Sequence, residues 1–133
     1  MESLLPLLLL ISLTSVIGLL LRAKKGVIKK ETRVKISEGE FGGKYGSRLT
    51  ILQFSTTFCS ECRTAKAIVK DVVKDFKAIA YVEVDAESNL ELVRRVDIRS
   101  TPTTIFLDSK GFEIARAKGA PKRDQLIKAI KAI

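Results

Sequence analysis

The sequence contains no histidine and only two cysteines, Cys59 and Cys62. A structural zinc site takes four cysteine or histidine ligands, so one chain cannot supply it, and only a site shared between two chains would be left. The single methionine is Met1, so the softer ligands that help to hold an ion such as Cu(I) are also scarce. We therefore predict neither a resident metal nor another cofactor.

Aromatic residues make up only 6% of the chain, although the net charge is +9. Proteins that bind nucleic acid through a basic surface combine it with a recognisable motif or with aromatic stacking platforms, and neither accompanies the charge here. The charge is also unevenly placed, since residues 1–30 contribute +4, residues 31–48 contribute +1 and residues 49–133 contribute +4. We predict no nucleic-acid partner and expect the basic excess near the N-terminus to lie against anionic lipid.

Charge is absent altogether from residues 3–21, which are dominated by leucine. As a helix this segment would be about 28 Å long, close to the hydrocarbon thickness of a bilayer. A cleaved signal peptide would need a basic start and a small-residue cleavage site, which are not evident, and a core helix would show a polar face. We predict a transmembrane anchor (residues 1–22), a basic, glycine-rich linker leading into the domain (23–48) and a folded domain (49–133).

Basic residues follow the apolar segment, namely Arg22, Lys24, Lys25, Lys29 and Lys30. Such flanks tend to stay in the cytoplasm. The sequence therefore predicts a single-pass protein of the cell membrane whose domain is cytoplasmic. An extracytoplasmic domain is the alternative, and the two differ in whether the thiols meet a reducing environment.

Both cysteines lie in the segment Cys59-Ser60-Glu61-Cys62, between an apolar run at 49–54 and a helical pattern. The apolar run predicts a central strand. The helical pattern is carried by Ala65, Ile68, Val69, Val72, Val73 and Phe76. We expect Cys59 at the helix N-terminus, where unpaired amides and the helix dipole lower the pKa of a thiol. This arrangement suits reversible redox chemistry.

The order of these features resembles the thioredoxin family over residues 49–130. The match includes the strand, the Cys-x-x-Cys segment and the helix, then a second strand at 82–85, Thr101-Pro102 before a third, and Gly119 after a fourth. The resemblance implies an α/β, thioredoxin-like fold, with a mixed sheet covered by helices on both faces and element order β-α-β-α-β-β-α. One transmembrane helix would precede it.

The resemblance also implies roles for individual residues. Cys59 would be the exposed nucleophile and Cys62 the shielded resolving cysteine. Phe58 takes the position of the family's usual tryptophan, where it would contact substrate. Pro102 matches the family's cis-proline, which leaves the backbone of Thr101 free to bind an extended substrate.

Among the positions that depart from the thioredoxin pattern, three would tune the redox properties. Gln53 replaces a buried aspartate that assists proton transfer to and from the second cysteine, which a neutral amide cannot do. Ser60 and Glu61 replace glycine and proline between the cysteines. The charge of Glu61 should oppose thiolate formation at Cys59, although Glu61 also suits the start of a helix.

The function predicted from this resemblance is thiol–disulfide oxidoreduction of the protein-disulfide reductase type. Its partners would be protein disulfides and a thiol or disulfide electron partner whose identity the sequence leaves open, as it does the oligomeric state. Two alternatives remain: a membrane-tethered Cu(I) handler using both thiolates, and a non-catalytic binding module on the same fold.

Overall fold

The computed structural model describes residues 4–23, 26–29 and 34–133. Its first element, α1 (Leu4–Ala23), is a helix in which every residue is exposed. Its length and apolar composition are sufficient to cross a membrane. The helix agrees with the apolar segment predicted at 3–21, and its membrane crossing stays a prediction. Of the residues used above, Met1, Lys24, Lys25 and Lys30 lie outside the described residues, as does the first residue of the apolar segment, Ser3.

A mixed sheet forms the centre of the domain and, within the described residues, has five strands in the order β1-β5-β4-β2-β3. The strands are β1 (Ile28–Lys29), β2 (Leu49–Ser55), β3 (Ile79–Asp85), β4 (Thr103–Asp108) and β5 (Glu113–Lys118). Strands β2 and β3 are parallel, whereas the other neighbouring pairs are antiparallel. This confirms the predicted mixed sheet.

Helices cover both faces of this sheet, as predicted. They are α2 (Glu38–Phe41), α3 (Ser60–Val73), α4 (Leu90–Arg95) and α5 (Arg123–Ala132). On one face, Val69 of α3 and Leu126 of α5 pack with Ile51 of β2. On the other face, Phe41 and Leu92 pack with Leu52 of β2. Because adjacent residues of β2 serve opposite cores, the whole strand is buried and holds its C-terminal end in a fixed position.

Two local features differ from what the sequence pattern predicts. The mostly apolar run at 79–85 predicts a strand buried on both faces, but β3 lies at the sheet edge and only Ile79 and Val84 are buried. Ser88 and Asn89 predict a side-chain cap for the next helix, but Asn89 takes the N-cap position of α4 without a side-chain cap hydrogen bond. Its amide instead donates to the carbonyl oxygen of Asp85 at 2.8 Å, which fixes the turn between β3 and α4.

Residues 34–48 pack against the sheet. Ile36 is fully buried, and Phe41 is buried on the α4 face. Lys35 forms an isolated β-bridge with Phe112. The predicted domain boundary at residue 49 stays a prediction, and these contacts add a structural role for the segment before it.

Candidate active site

Cys59 and Cys62 form a disulfide at the N-terminus of α3, with their Cα atoms 5.2 Å apart. Cys59 is the N-cap residue, as expected, and its Sγ accepts a hydrogen bond from the backbone N–H of Cys62 at 3.1 Å. Cys62 is only 4% exposed, whereas Cys59 is partly exposed. After reduction, the same amide and the dipole of α3 would stabilise a thiolate at Cys59.

The buried side of the pair is contacted by the amide of Gln53, which is 0% exposed. Its Nε2 donates to the carbonyl oxygen of Cys62 at 3.0 Å, and its Oε1 accepts from the hydroxyl of Tyr81 at 2.9 Å. Burial, with a smaller effect from the charge of Glu83, raises the pKa of Tyr81, so the hydroxyl stays a donor. Gln53, on β2, therefore connects α3 to β3 through its side-chain amide. The family pattern has an ionisable group at this position.

Replacing Gln53 with methionine should destabilise the fold by about 1–3 kcal/mol, because the Tyr81 hydroxyl and the Cys62 carbonyl would lose their partner inside the protein. Urea unfolding of the oxidised protein measures this change. Adding Tyr81→Phe to Gln53→Met removes the orphaned hydroxyl and should restore part of the loss. A double variant less stable than Gln53→Met alone would contradict this assignment.

An ion pair that sequence reasoning missed lies beside the disulfide. Lys66 Nζ is 2.7 Å from Glu83 Oε2, and the Ser55 hydroxyl donates to Glu83 Oε1 at 3.1 Å. The hydrogen bond from Lys66 holds the pKa of Glu83 below its usual range, against the opposing effect of burial. These residues line a cavity of about 380 Å³ together with Cys59 and Cys62. The disulfide and this ion pair therefore border the same polar cavity.

The loop before β4 approaches the segment that leads into Cys59. The Thr101–Pro102 peptide bond is cis, as the resemblance implied. The hydroxyl oxygens of Thr101 and Thr56 are 3.4 Å apart, and Pro102 is buried. The carbonyl of Pro102 accepts from the N–H of Gly119 at 2.8 Å. The loop is thus held between the end of β5 and the segment containing the disulfide.

Phe58, Ser60 and Glu61 are exposed around the disulfide, and Phe58 as a whole residue is 95% exposed. Ser60 and Glu61 belong to the first turn of α3. The structure therefore brings these predicted residues to the disulfide, and it also places Gln53, Thr101 and Pro102 around it. Tyr81, Lys66 and Glu83 were missed because no local pattern shows which side chains of β2, α3 and β3 face one another.

Replacing Glu61 with glutamine should lower the pKa of Cys59 in the reduced protein, since a negative charge near the thiolate is removed. Ultraviolet absorbance of the thiolate during a pH titration measures this. Glu91→Gln is a matched control, because Glu91 also lies in a first helical turn, that of α4. A Cys59 pKa that stays constant in Glu61→Gln, or falls equally in Glu91→Gln, would contradict the tuning role.

The thioredoxin family model matches residues 34–132. The chain is 32% identical over 77 residues to thioredoxin H5 of Oryza sativa subsp. japonica, covering 58% of this chain and 56% of that relative. It is 26% identical over 110 residues to thioredoxin H2-1 of the same organism, covering 83% and 78%. A solved thioredoxin-2, described as a component of malaria parasite protein secretion machinery, superimposes with a TM-score of 0.60 at 28% identity, covering 65% of this chain and 84% of that one.

Proposed function

Because the chain belongs to the thioredoxin family, we propose that it is a membrane-tethered thiol–disulfide oxidoreductase of the protein-disulfide reductase type. The observation that carries this proposal is the pair at the start of α3, with Cys59 accessible and Cys62 buried. An accessible thiol can attack a substrate, whereas a buried one reaches only its neighbour. This asymmetry is what a two-step exchange requires.

In the first step, the Cys59 thiolate attacks one sulfur of a substrate disulfide, and the other substrate sulfur leaves as a thiolate. In the second step, Cys62 loses its proton and attacks the Sγ of Cys59, which releases the second substrate thiolate. The substrate gains two electrons and, with two protons, becomes a dithiol, while Cys59 and Cys62 become the disulfide seen here. A thiol or disulfide electron partner then returns two electrons to the pair.

Three residues around the disulfide are proposed to hold the substrate. Phe58 offers an exposed aromatic surface directly before the nucleophile. Pro102 leaves the backbone of Thr101 available to an extended substrate segment, and Thr101 lies beside Thr56 in the approach to Cys59. An extended peptide lying along this backbone would bring its own disulfide to the accessible thiol.

The direction of electron flow is tested by the reduction potential of the Cys59–Cys62 pair in the full chain, equilibrated with glutathione or dithiothreitol. A potential near that of thioredoxin, about −270 mV, is the expected result for a reductase. A potential of about −120 to −180 mV would instead indicate an oxidant or isomerase. Turnover of a protein disulfide such as insulin tests the activity itself.

Tethering by α1 is supported by its length, its apolar composition and its complete exposure. We propose a cytoplasmic domain, because basic residues, of which Arg22 is the first, follow the uncharged segment at 3–21. Protease treatment of intact cells should leave the domain uncut, and cutting should begin only after permeabilisation. Cutting in intact cells would place the domain outside.

A further inference from the structure

The chain leaving α1 is fixed to the domain at Gly26, only three residues after Ala23. The N–H of Gly26 donates to the carbonyl of Lys118 at 2.7 Å, and Ile28 then pairs with Ala117 of β5. Gly26 has φ +78°, and a Cβ there would lie 2.4 Å from the carbonyl oxygen of Ala120. Only glycine fits this close approach without strain. The start of the domain is therefore seated against the C-terminal end of β5.

The C-terminal end of β5 and the disulfide lie at the same end of the strands of the sheet. Lys118 pairs with Thr103 of β4, and Thr103 pairs with Phe54 of β2, so these three residues form one row across the sheet. Gly26 lies next to this row, since its N–H bonds to Lys118. Neighbouring strands are about 4.8 Å apart, which puts Gly26 about 14 Å from Phe54. Beyond Phe54 the chain continues from the same end of the sheet to Cys59.

The covalent chain limits how far this end of the sheet can be from the end of α1. Consecutive Cα atoms are about 3.8 Å apart, so the Cα atom of Ala23 lies within about 11 Å of that of Gly26. A strand rises roughly 3.3 Å per residue, so Leu49, at the opposite end of β2, is about 20 Å from the end of the sheet that carries the disulfide. The anchor therefore joins the domain at its redox end and not at the end that carries Leu49.

We propose that this site acts on disulfides held close to the bilayer, in the membrane-proximal segments of integral membrane proteins. The inference rests on the proposed oxidoreductase function and on tethering by α1. An untethered domain would meet any accessible disulfide by diffusion. In this domain the connection to the anchor is short and the redox end is next to it. The effective concentration of the site is therefore high only for disulfides near the membrane surface, and it is low for disulfides that the tethered site cannot reach. The exposed Phe58 lies at this same end, where such a partner would cover it.

The test uses the reduced full chain in phosphatidylcholine vesicles and measures a single turnover, so that no external donor is needed. The probe is a synthetic single-span peptide with a disulfide-linked fluorophore and quencher. In the near probe, the disulfide follows the span directly. In the far probe, a rigid helical spacer of about 30 residues holds it about 45 Å away. We expect the near probe to be reduced at least about tenfold faster.

A reciprocal variant makes the test specific. The same helical spacer inserted between residues 24 and 25 should reverse the preference, so that the far probe is reduced faster. The spacer added after Ile133 is the matched control and should leave the preference unchanged. Equal rates on the two probes, or an inserted variant with the original preference, would overturn the inference.

Failure of the underlying proposals gives different results. If the reduced chain does not reduce soluble insulin in detergent micelles, the oxidoreductase proposal fails. If alkaline washing strips the chain from vesicles, tethering fails, and this inference fails with it. Insulin reduction and stable insertion without a near-probe preference would count against the membrane-proximal substrate alone.

Discussion

Replacing Cys62 with serine is expected to stop turnover and to leave substrate proteins covalently attached to Cys59. In the wild type, Cys62 lies in the first turn of α3, with its backbone N–H 3.1 Å from Cys59 Sγ, and resolves the mixed disulfide within the same molecule. Effective molarities of well-oriented intramolecular reactions reach about 10⁵ M or more. Millimolar external thiol cannot replace such a group, so we expect insulin turnover to fall at least about 10³-fold.

The matched variant is Cys59→Ser, which should lose turnover equally but accumulate no attached substrate. The difference follows from exposure, because the remaining thiol of Cys59→Ser is Cys62, which is only 4% exposed. Non-reducing electrophoresis followed by mass spectrometry measures the attached proteins. If Cys59→Ser trapped substrates and Cys62→Ser did not, the roles would be reversed.

The parts of this site that follow the local chain could be predicted from sequence. The apolar run of β2 and the helical spacing in α3 placed Cys59 at a helix N-terminus. The same periodicity made Val69 and Val72 core residues, and both are buried. The cis bond before Pro102 depended on the family resemblance, since an X–Pro bond is cis in only about 5–6% of cases.

The contacts between elements could not be predicted in this way. Gln53 was recognised as a departure from the family pattern, but its partner Tyr81 lies on β3, where the parallel register decides which side chains share a face. The Lys66–Glu83 ion pair joins α3 to the same strand. A one-residue change in register would turn Tyr81 and Glu83 to the opposite face, and no periodicity in either segment fixes that register.

The connection between the anchor and the domain was also beyond sequence reasoning. Strand β1 has two residues, too few for any alternation to be visible, and its partner β5 is far away in the chain. Basic composition and glycines predicted a linker in residues 23–48. Within that segment, the pairing of Ile28 with Ala117 and the hydrogen bond of Gly26 to Lys118 fix the chain at the redox end of the sheet.

The second large effect is expected at a buried ion pair on the α4 face of the sheet. The guanidinium of Arg116 binds the carboxylate of Glu113 through two hydrogen bonds, at 2.7 and 2.9 Å, and the two side chains are only 8% and 3% exposed. Replacing Glu113 with glutamine would remove the carboxylate that binds this buried positive charge through two hydrogen bonds. Breaking such a pair costs about 3–5 kcal/mol, a large part of the total stability of a small domain. We expect a corresponding fall in the urea midpoint.

The effect should extend to the loop before Pro102. Arg116 Nη1 also donates to the carbonyl of Asp97 at 3.4 Å, and Asp97 has φ +53°, a strained conformation for a residue other than glycine. Hydrogen exchange in residues 97–101 should therefore rise in Glu113→Gln even under conditions where the protein stays folded.

Two further variants separate the buried charge from other causes. Combining Glu113→Leu with Arg116→Met removes both charges and should be close to neutral or stabilising, as replacement of whole buried pairs often is. Arg99→Gln breaks an exposed pair with Asp97, with side chains 78% and 69% exposed, and should change the urea midpoint little. If the double variant were as unstable as Glu113→Gln, the buried charge would not be the cause of the loss. The attraction between the two side chains and their packing would then account for the stability.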